Sequence, residues 1–145
     1  MQFPCLLGKN GRTFRKREGD GKSPRGRWLL IDFYYRPDRV LGLPQSKPLR
    51  RSDGWCDAPN DRAYNRKVSL PFSASHEQLW REDEAYDILI TTNHNQRPRL
   101  RGAGSAIFLH LWRKGATVTE GCIALRRRDM LIVLSKIKAK TYLTI

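Results

Sequence analysis

Cysteine is scarce in this chain: Cys5, Cys56 and Cys122 are the only three, and no two form a CxxC pair. An odd number of separated thiols argues against a disulfide framework and leaves at least one thiol free. The cysteines and the three histidines also match no compact zinc-ligand spacing, so no metal site is expected. Long apolar runs are missing as well, and the longest near the end, Met130 to Leu134, is far too short to cross a bilayer. The start, Met1 to Gly11, lacks the charged-then-apolar order of a signal peptide, so no export signal is read there. Negative charge is in short supply: 28 Lys and Arg against 14 Asp and Glu give a formal net charge of +14. That excess points to an anionic partner, such as nucleic acid, acidic lipid or a bacterial wall polymer. Internal repeats, low-complexity tracts and domain linkers are also absent, and 145 residues suit one core better than two, so residues 1–145 are read as one domain.

What is present favours a folded, mainly β chain, since 39% hydrophobic and 10% aromatic residues supply a packed interior. The turn-rich segment Arg17 to Gly26 reads as a loop leading into a strand at Trp28 to Tyr35. Four prolines and scattered charges between Arg36 and Tyr64 predict a long irregular connection. Within it, Trp55-Cys56-Asp57 and Tyr64-Asn65 either line a groove or pin the loop to the sheet. Ser75-His-Glu-Gln78 matches a capping box and predicts a short helix from Ser75 to Glu84. Tyr86 to Thr92 and Ala106 to Trp112 are apolar, β-branched runs and predict two strands. From Arg128 to Lys138 the spacing of Met130, Leu131, Leu134 and Ile137 predicts a second helix, and Tyr142 to Ile145 a closing strand.

The chemistry-bearing pair is His110, late in a predicted strand, and Cys122, twelve positions downstream beyond a Gly-containing loop. A thiol is a weak nucleophile until a neighbouring imidazole takes its proton, and such a neighbour is expected to lower the cysteine pKa. Gly121 leaves the approach open, and the Gly121 and Cys122 amides are placed to donate to a developing oxyanion. By itself a Cys and a His also suit a small buried hydrophobe and a satisfied strand histidine. Cys5 and Cys56 read as structural thiols. Arg15 to Arg17, Arg50-Arg51, Arg97 to Arg101 and Arg126 to Arg128 form basic groups that would suit a nucleic-acid-binding module, yet no reading motif accompanies them.

The string Phe108-Leu-His110 followed by Thr119-Glu-Gly-Cys122, preceded by Gly19-Asp-Gly-Lys-Ser-Pro-Arg-Gly26, resembles the signature of the YkuD-type L,D-transpeptidases. The resemblance covers about Arg17 to Leu134. It implies a compact catalytic domain with a sandwich- or barrel-like sheet, here carrying two short helices, that needs no cofactor. It also implies an enzyme that cuts a peptidoglycan stem peptide at an L-to-D bond through a Cys thioester and passes the acyl group to an amine, or to water in a carboxypeptidase or endopeptidase. In that scheme Cys122 is the nucleophile and His110 the base and then the acid. The Leu111 carbonyl orients the imidazole, and the Gly121 and Cys122 amides make the oxyanion hole. Thr119, Arg113 and Trp112 are the expected substrate contacts. Further implications are reaction with carbapenems, a place in the periplasm or cell envelope, and contact with anionic wall polymer without specific nucleic-acid binding. A wall-binding domain without catalysis is the remaining alternative. Three departures stand out: only eight residues separate His110 from Thr119, Glu120 stands where many members have a second His, and Ala124 stands where Arg or Asn is common.

Overall fold

A computed structural model describes residues 1–145. Its elements in chain order are β1 (Cys5–Leu6), β2 (Arg12–Thr13), β3 (Ser23–Pro24), β4 (Arg27–Tyr35), β5 (Lys47–Pro48), β6 (Asp53–Cys56), β7 (Lys67–Ser69), β8 (His76–Gln78), β9 (Ile88–Thr92), β10 (Phe108–Leu111), β11 (Ile123–Leu125), α1 (Arg127–Lys136) and β12 (Tyr142–Thr144). The apolar, β-branched runs at β4, β9 and β10 become strands where the sequence predicts them, because side chains that pack on a pleated surface find partners on both faces. The architecture is mainly β, built on a curled, half-barrel sheet.

Seven strands form the main sheet, in the order β1-β11-β10-β9-β4-β12 with β5 beside β4. β10 lies at its centre, antiparallel to β9 and parallel to β11, with Leu109 opposite Ile123, His110 opposite Ala124 and Leu111 opposite Leu125. Alternate residues of a strand point to opposite faces. Leu109, Leu111, Ile123, Leu125, Ile88 and Ile90 therefore share one face, covered by α1 through Met130. Phe108 and Leu89 face the other way, into a second core with Trp55, Leu79, Tyr86 and Tyr34. Both faces of β10 are buried, which explains why Phe108 to Leu111 reads as a near-continuous apolar run interrupted by His110. Where β4 and β9 lose register between Leu30 and Phe33, the Thr91 hydroxyl accepts from the Asp32 amide and satisfies the displaced backbone.

Three expectations need correction. Ser75 to Glu84 is not a helix: His76 to Gln78 forms β8, pairing antiparallel with β6 from Gly54 to Cys56. A one-turn capping signal stabilises only a marginal local helix, whereas pairing with β6 adds ladder bonds and lets Leu79 bury completely. The fold thus has one helix where two were expected. The predicted irregular stretch from Arg36 to Tyr64 contains β5 and the fully buried β6, so it contributes core as well as connection. On α1 the inward stripe is Met130, Val133, Leu134 and Ile137, and Leu131 points outward with 46% of its surface exposed.

Candidate active site

His110 and Cys122 both line a cavity of about 620 Å³ on the β10–β11 face that carries the second core. His110 sits opposite Ala124 on β11, and Cys122 lies two residues earlier at the mouth of that strand. One pleat along a neighbouring strand separates their backbones, so both side chains stand on the same side of the sheet.

The imidazole is fixed by its own strand end: Nδ1 lies 2.8 Å from the Leu111 carbonyl oxygen. A carbonyl only accepts, so Nδ1 carries the proton and Nε2 keeps its lone pair. The Tyr86 ring meets the imidazole edge-on at 5.3 Å between centroids. Burial lowers the His110 pKa to about 4 despite the favourable bond to Leu111, so the ring is a neutral base at neutral pH.

Cys122 departs from expectation. Its thiol donates to the Ala106 carbonyl at 3.0 Å, and its sulfur accepts from the Phe108 amide at 3.4 Å, with no hydrogen bond to His110. Burial first, and the Glu77 charge second, push its pKa up to about 12, against opposing contributions from the Phe108 amide, Lys16 and Arg81. The expected lowering fails because burial dominates and the neighbouring imidazole carries no charge to offset it. The resting pair is a neutral thiol and a neutral imidazole.

The turn before Cys122 is held from three directions. The Thr119 hydroxyl accepts from the Gly121 amide at 3.1 Å and donates to the Cys122 carbonyl at 2.7 Å. The fully buried Ser23 hydroxyl donates to the Gly121 carbonyl and accepts from the Gly8 amide, both at 2.9 Å. Gly121 itself has φ +143°, and a Cβ there would stand 2.9 Å from the Lys22 carbonyl oxygen, so no other residue fits. The Gly19 to Gly26 segment therefore acts as the cradle of the Cys122 turn. Of the two amides expected to face an oxyanion, the Gly121 amide donates to Thr119, while the Cys122 amide has no acceptor.

Among the expected substrate contacts, Arg113 lines the cavity, half-exposed, with a 3.5 Å contact to Asp83. Thr119 lines it too, but its hydroxyl is spent on the turn. Trp112 is not part of the lining; its indole N–H donates to the Ala116 carbonyl and Arg126 stacks on its ring, so it braces the loop after β10. Glu120 reaches outward to Lys9, and Ala124 forms cavity wall beside His110. The Trp55 to Asn65 stretch divides: Asp57 lines the cavity, while the Trp55 indole donates to Asn65, which ties the loop to the carbonyls of His94 and Asn95.

Lys16, Glu18, Glu77, Arg81 and Ser105 also line the cavity, and sequence reasoning assigned none of them to it. Lys16 looked like surface charge within Arg15 to Arg17, yet its side chain is 6% exposed and pairs with Asp20. Glu77 was hidden by the helix reading of its segment. Arg81 grips Asp83 through Nε and Nη2, which lowers the Asp83 pKa to about 2.

No helix is long and apolar enough to cross a membrane. Searches of curated proteins and of solved structures find no match. The family model for the L,D-transpeptidase catalytic domain, YkuD, matches residues 1–145. It describes an enzyme family that acts on peptidoglycan and is generally associated with the cell envelope. Mainly β, with its strand histidine and its Gly-Cys turn opening on one cavity, this chain belongs to the YkuD family of L,D-transpeptidase catalytic domains.

Proposed function

We propose that the chain is a cysteine-dependent L,D-transpeptidase that acylates Cys122 with a peptidoglycan stem peptide and transfers the acyl group to an amine. The observation that carries this reading is the neutral His110, its Nδ1 proton fixed on Leu111, sharing one cavity with the Cys122 thiol. Turning about its side-chain bond, the thiol leaves the Ala106 carbonyl and gives its proton to His110 Nε2. Sulfur attacks the scissile carbonyl carbon as that proton leaves, so the charge never rests on an unsolvated thiolate. The carbonyl oxygen becomes an oxyanion facing the unoccupied Cys122 amide. Collapse expels the leaving amine, which takes the proton from the imidazolium and leaves a thioester. An incoming amine then loses a proton to Nε2, attacks the thioester, and the thiol is restored.

The same geometry supports acylation by a carbapenem, whose strained carbonyl would occupy the scissile position, and hydrolysis when water replaces the amine. The surface charge of +14 suits approach to an anionic wall polymer in the cell envelope. The test is mass analysis of purified muropeptides incubated with the protein and with Cys122→Ala. Cross-linked or amine-exchanged products that vanish in the variant support the reading. Shortened peptides alone assign the acyl group to water, and identical products from both proteins overturn the role of Cys122.

A further inference from the structure

We propose that Arg66 and Arg99 form a binding site for a phosphate group, outside the cavity that holds Cys122. Neither arginine lines that cavity. Elsewhere in the chain guanidinium groups find partners: Arg36, Arg39 and Arg81 pair with aspartates, and Arg25, Arg27 and Arg126 lie over aromatic rings. Arg66 and Arg99, with the exposed Arg97 and Arg101 on the same loop as Arg99, have neither a carboxylate nor a ring. These cations are left without the counter-charge that the fold supplies to others.

Arg99 supplies an independent observation. Its Nε is buried and has no hydrogen-bond partner, although the residue as a whole is only partly buried. Buried N–H groups are nearly always satisfied in folded proteins, and an exception calls for something that completes it. The backbone around Arg99 is fixed. The Asn95 side chain donates to the Leu100 and Gly104 carbonyls, both at 2.9 Å, and accepts from the Leu100 amide at 2.8 Å, so the segment is held as a closed loop. Arg66 is joined to this loop through its neighbour. Asn65 donates to the His94 and Asn95 carbonyls at 3.2 and 3.0 Å, and its own carbonyl accepts from Gln96 at 3.0 Å. Two guanidinium groups from separate segments are thus brought near each other by a backbone that does not depend on a ligand.

The chemistry of the pair selects the ligand. Burial first, and the Arg66 charge second, lower the Arg99 pKa, so the two cations are close enough to repel and a bound anion would relieve both effects. A guanidinium only donates, and its Nε and Nη edge forms a fork that meets two oxygens at once. A carboxylate, with two oxygens, fills a single fork. A phosphate group offers more acceptor oxygens and a full negative charge or more, so it can engage both arginines, and an Arg99 side chain drawn toward it would bring Nε to an acceptor. Arg97 and Arg101 would add attraction at longer range. Two sources carry this group: the free phosphate ion and the headgroup of an anionic lipid. In the second case Leu100, 59% exposed between Arg99 and Arg101, would lie against the acyl boundary.

The first arm is calorimetry with inorganic phosphate on the full-length protein at low salt. Arg66→Gln and Arg99→Gln should each weaken binding about tenfold or more, the scale of a lost charge-assisted contact. Arg128→Gln removes the same charge from an exposed position on α1 and should change the affinity by less than about twofold, because a distant surface charge is screened. Arg66 is exposed, so its replacement should leave the fold intact, as circular dichroism can verify. The second arm is co-sedimentation with vesicles of phosphatidylcholine alone and of phosphatidylcholine mixed with phosphatidylglycerol. Binding to the mixed vesicles that Arg66→Gln and Leu100→Ser both weaken assigns the phosphate to a lipid headgroup. Phosphate binding that Arg66→Gln weakens, with no change toward vesicles, assigns it to the free ion. Binding of neither probe, or a loss with Arg128→Gln as large as with Arg66→Gln and Arg99→Gln, overturns the site.

Discussion

The neutral resting state of His110 and Cys122 makes a quantitative prediction about pH. A thiol pushed up to about 12 by burial and Glu77 is a thiolate in only about one molecule in 10⁵ at pH 7. If that fraction were the nucleophile, acylation would rise about tenfold per pH unit through the neutral range. A neutral imidazole taking the proton during attack gives a different profile. With the His110 pKa lowered to about 4 by burial, the base is already available above roughly pH 5, so the rate should stay flat to roughly pH 9 and fall only as the ring protonates in acid. Replacing His110 with Gln should lower the rate at pH 7 by about two to four orders of magnitude and restore the tenfold rise per pH unit. The assay is intact-protein mass with a limiting carbapenem across this range, with peptide mapping to locate the adduct. Cys5 is exposed and Cys56 fully buried, so a small alkylating agent should reach Cys5 first, whereas the drug, held in the cavity, should mark Cys122. A wild-type rate that climbs tenfold per unit through neutrality, or drug adducts on Cys5 as fast as on Cys122, refutes the reasoning.

Ser23→Ala should destabilise the protein by roughly 1–3 kcal/mol in urea unfolding, because it strands the buried Gly8 amide and Gly121 carbonyl together; a loss below a few tenths would remove the cradle role. Asp83 has its pKa lowered to about 2, chiefly by Arg81, so its contribution to stability is present above the unfolded value near roughly 4 and is lost as pH falls through about 2. Asp83→Asn should therefore flatten the acid limb of the stability profile between roughly pH 4 and 2, measured as midpoints of denaturant unfolding, and an unchanged limb would assign it to other carboxylates.

The parts of the fold legible in the sequence were those whose local pattern and tertiary role agree. β4, β9, β10 and β12 carry apolar, aromatic or β-branched residues that the sheet uses directly, and α1 carries a helical stripe that one core needs. The stripe was read with Leu131 in place of Val133, although the two lie on opposite sides of the helix and it is Val133 that packs against the sheet. Ser75 to Glu84 failed for the opposite reason. Its cap signal is local, while the strand it becomes depends on β6, some twenty residues away in sequence, and no pattern within the segment announces that partner. At the site, the contact between His110 and the Leu111 carbonyl was readable because adjacent residues make it. Gly121 and Thr119 both line the cavity beside Cys122, and the bond between them, invisible in sequence, engages the Gly121 amide.

Charge shows most clearly how scale limits a sequence reading. A net +14 is a property of the whole surface and governs how the protein approaches an anionic polymer through water. It does not set the potential inside the cavity, where distances are short and solvent is scarce, so a few groups outweigh a distant excess. There the charge nearest in effect to the thiol is the Glu77 carboxyl, which opposes the thiolate, while Lys16 and Arg81 pull the other way. In the proposed acyl transfer, a cavity that disfavours a free thiolate but keeps a neutral imidazole fixed by Leu111 would hold the thiol inert until a carbonyl is in place to accept the charge. The high thiol pKa is compatible with that proposed transfer, because it penalises the ground-state thiolate more than a transition state whose charge would have moved to an oxygen beside the Cys122 amide.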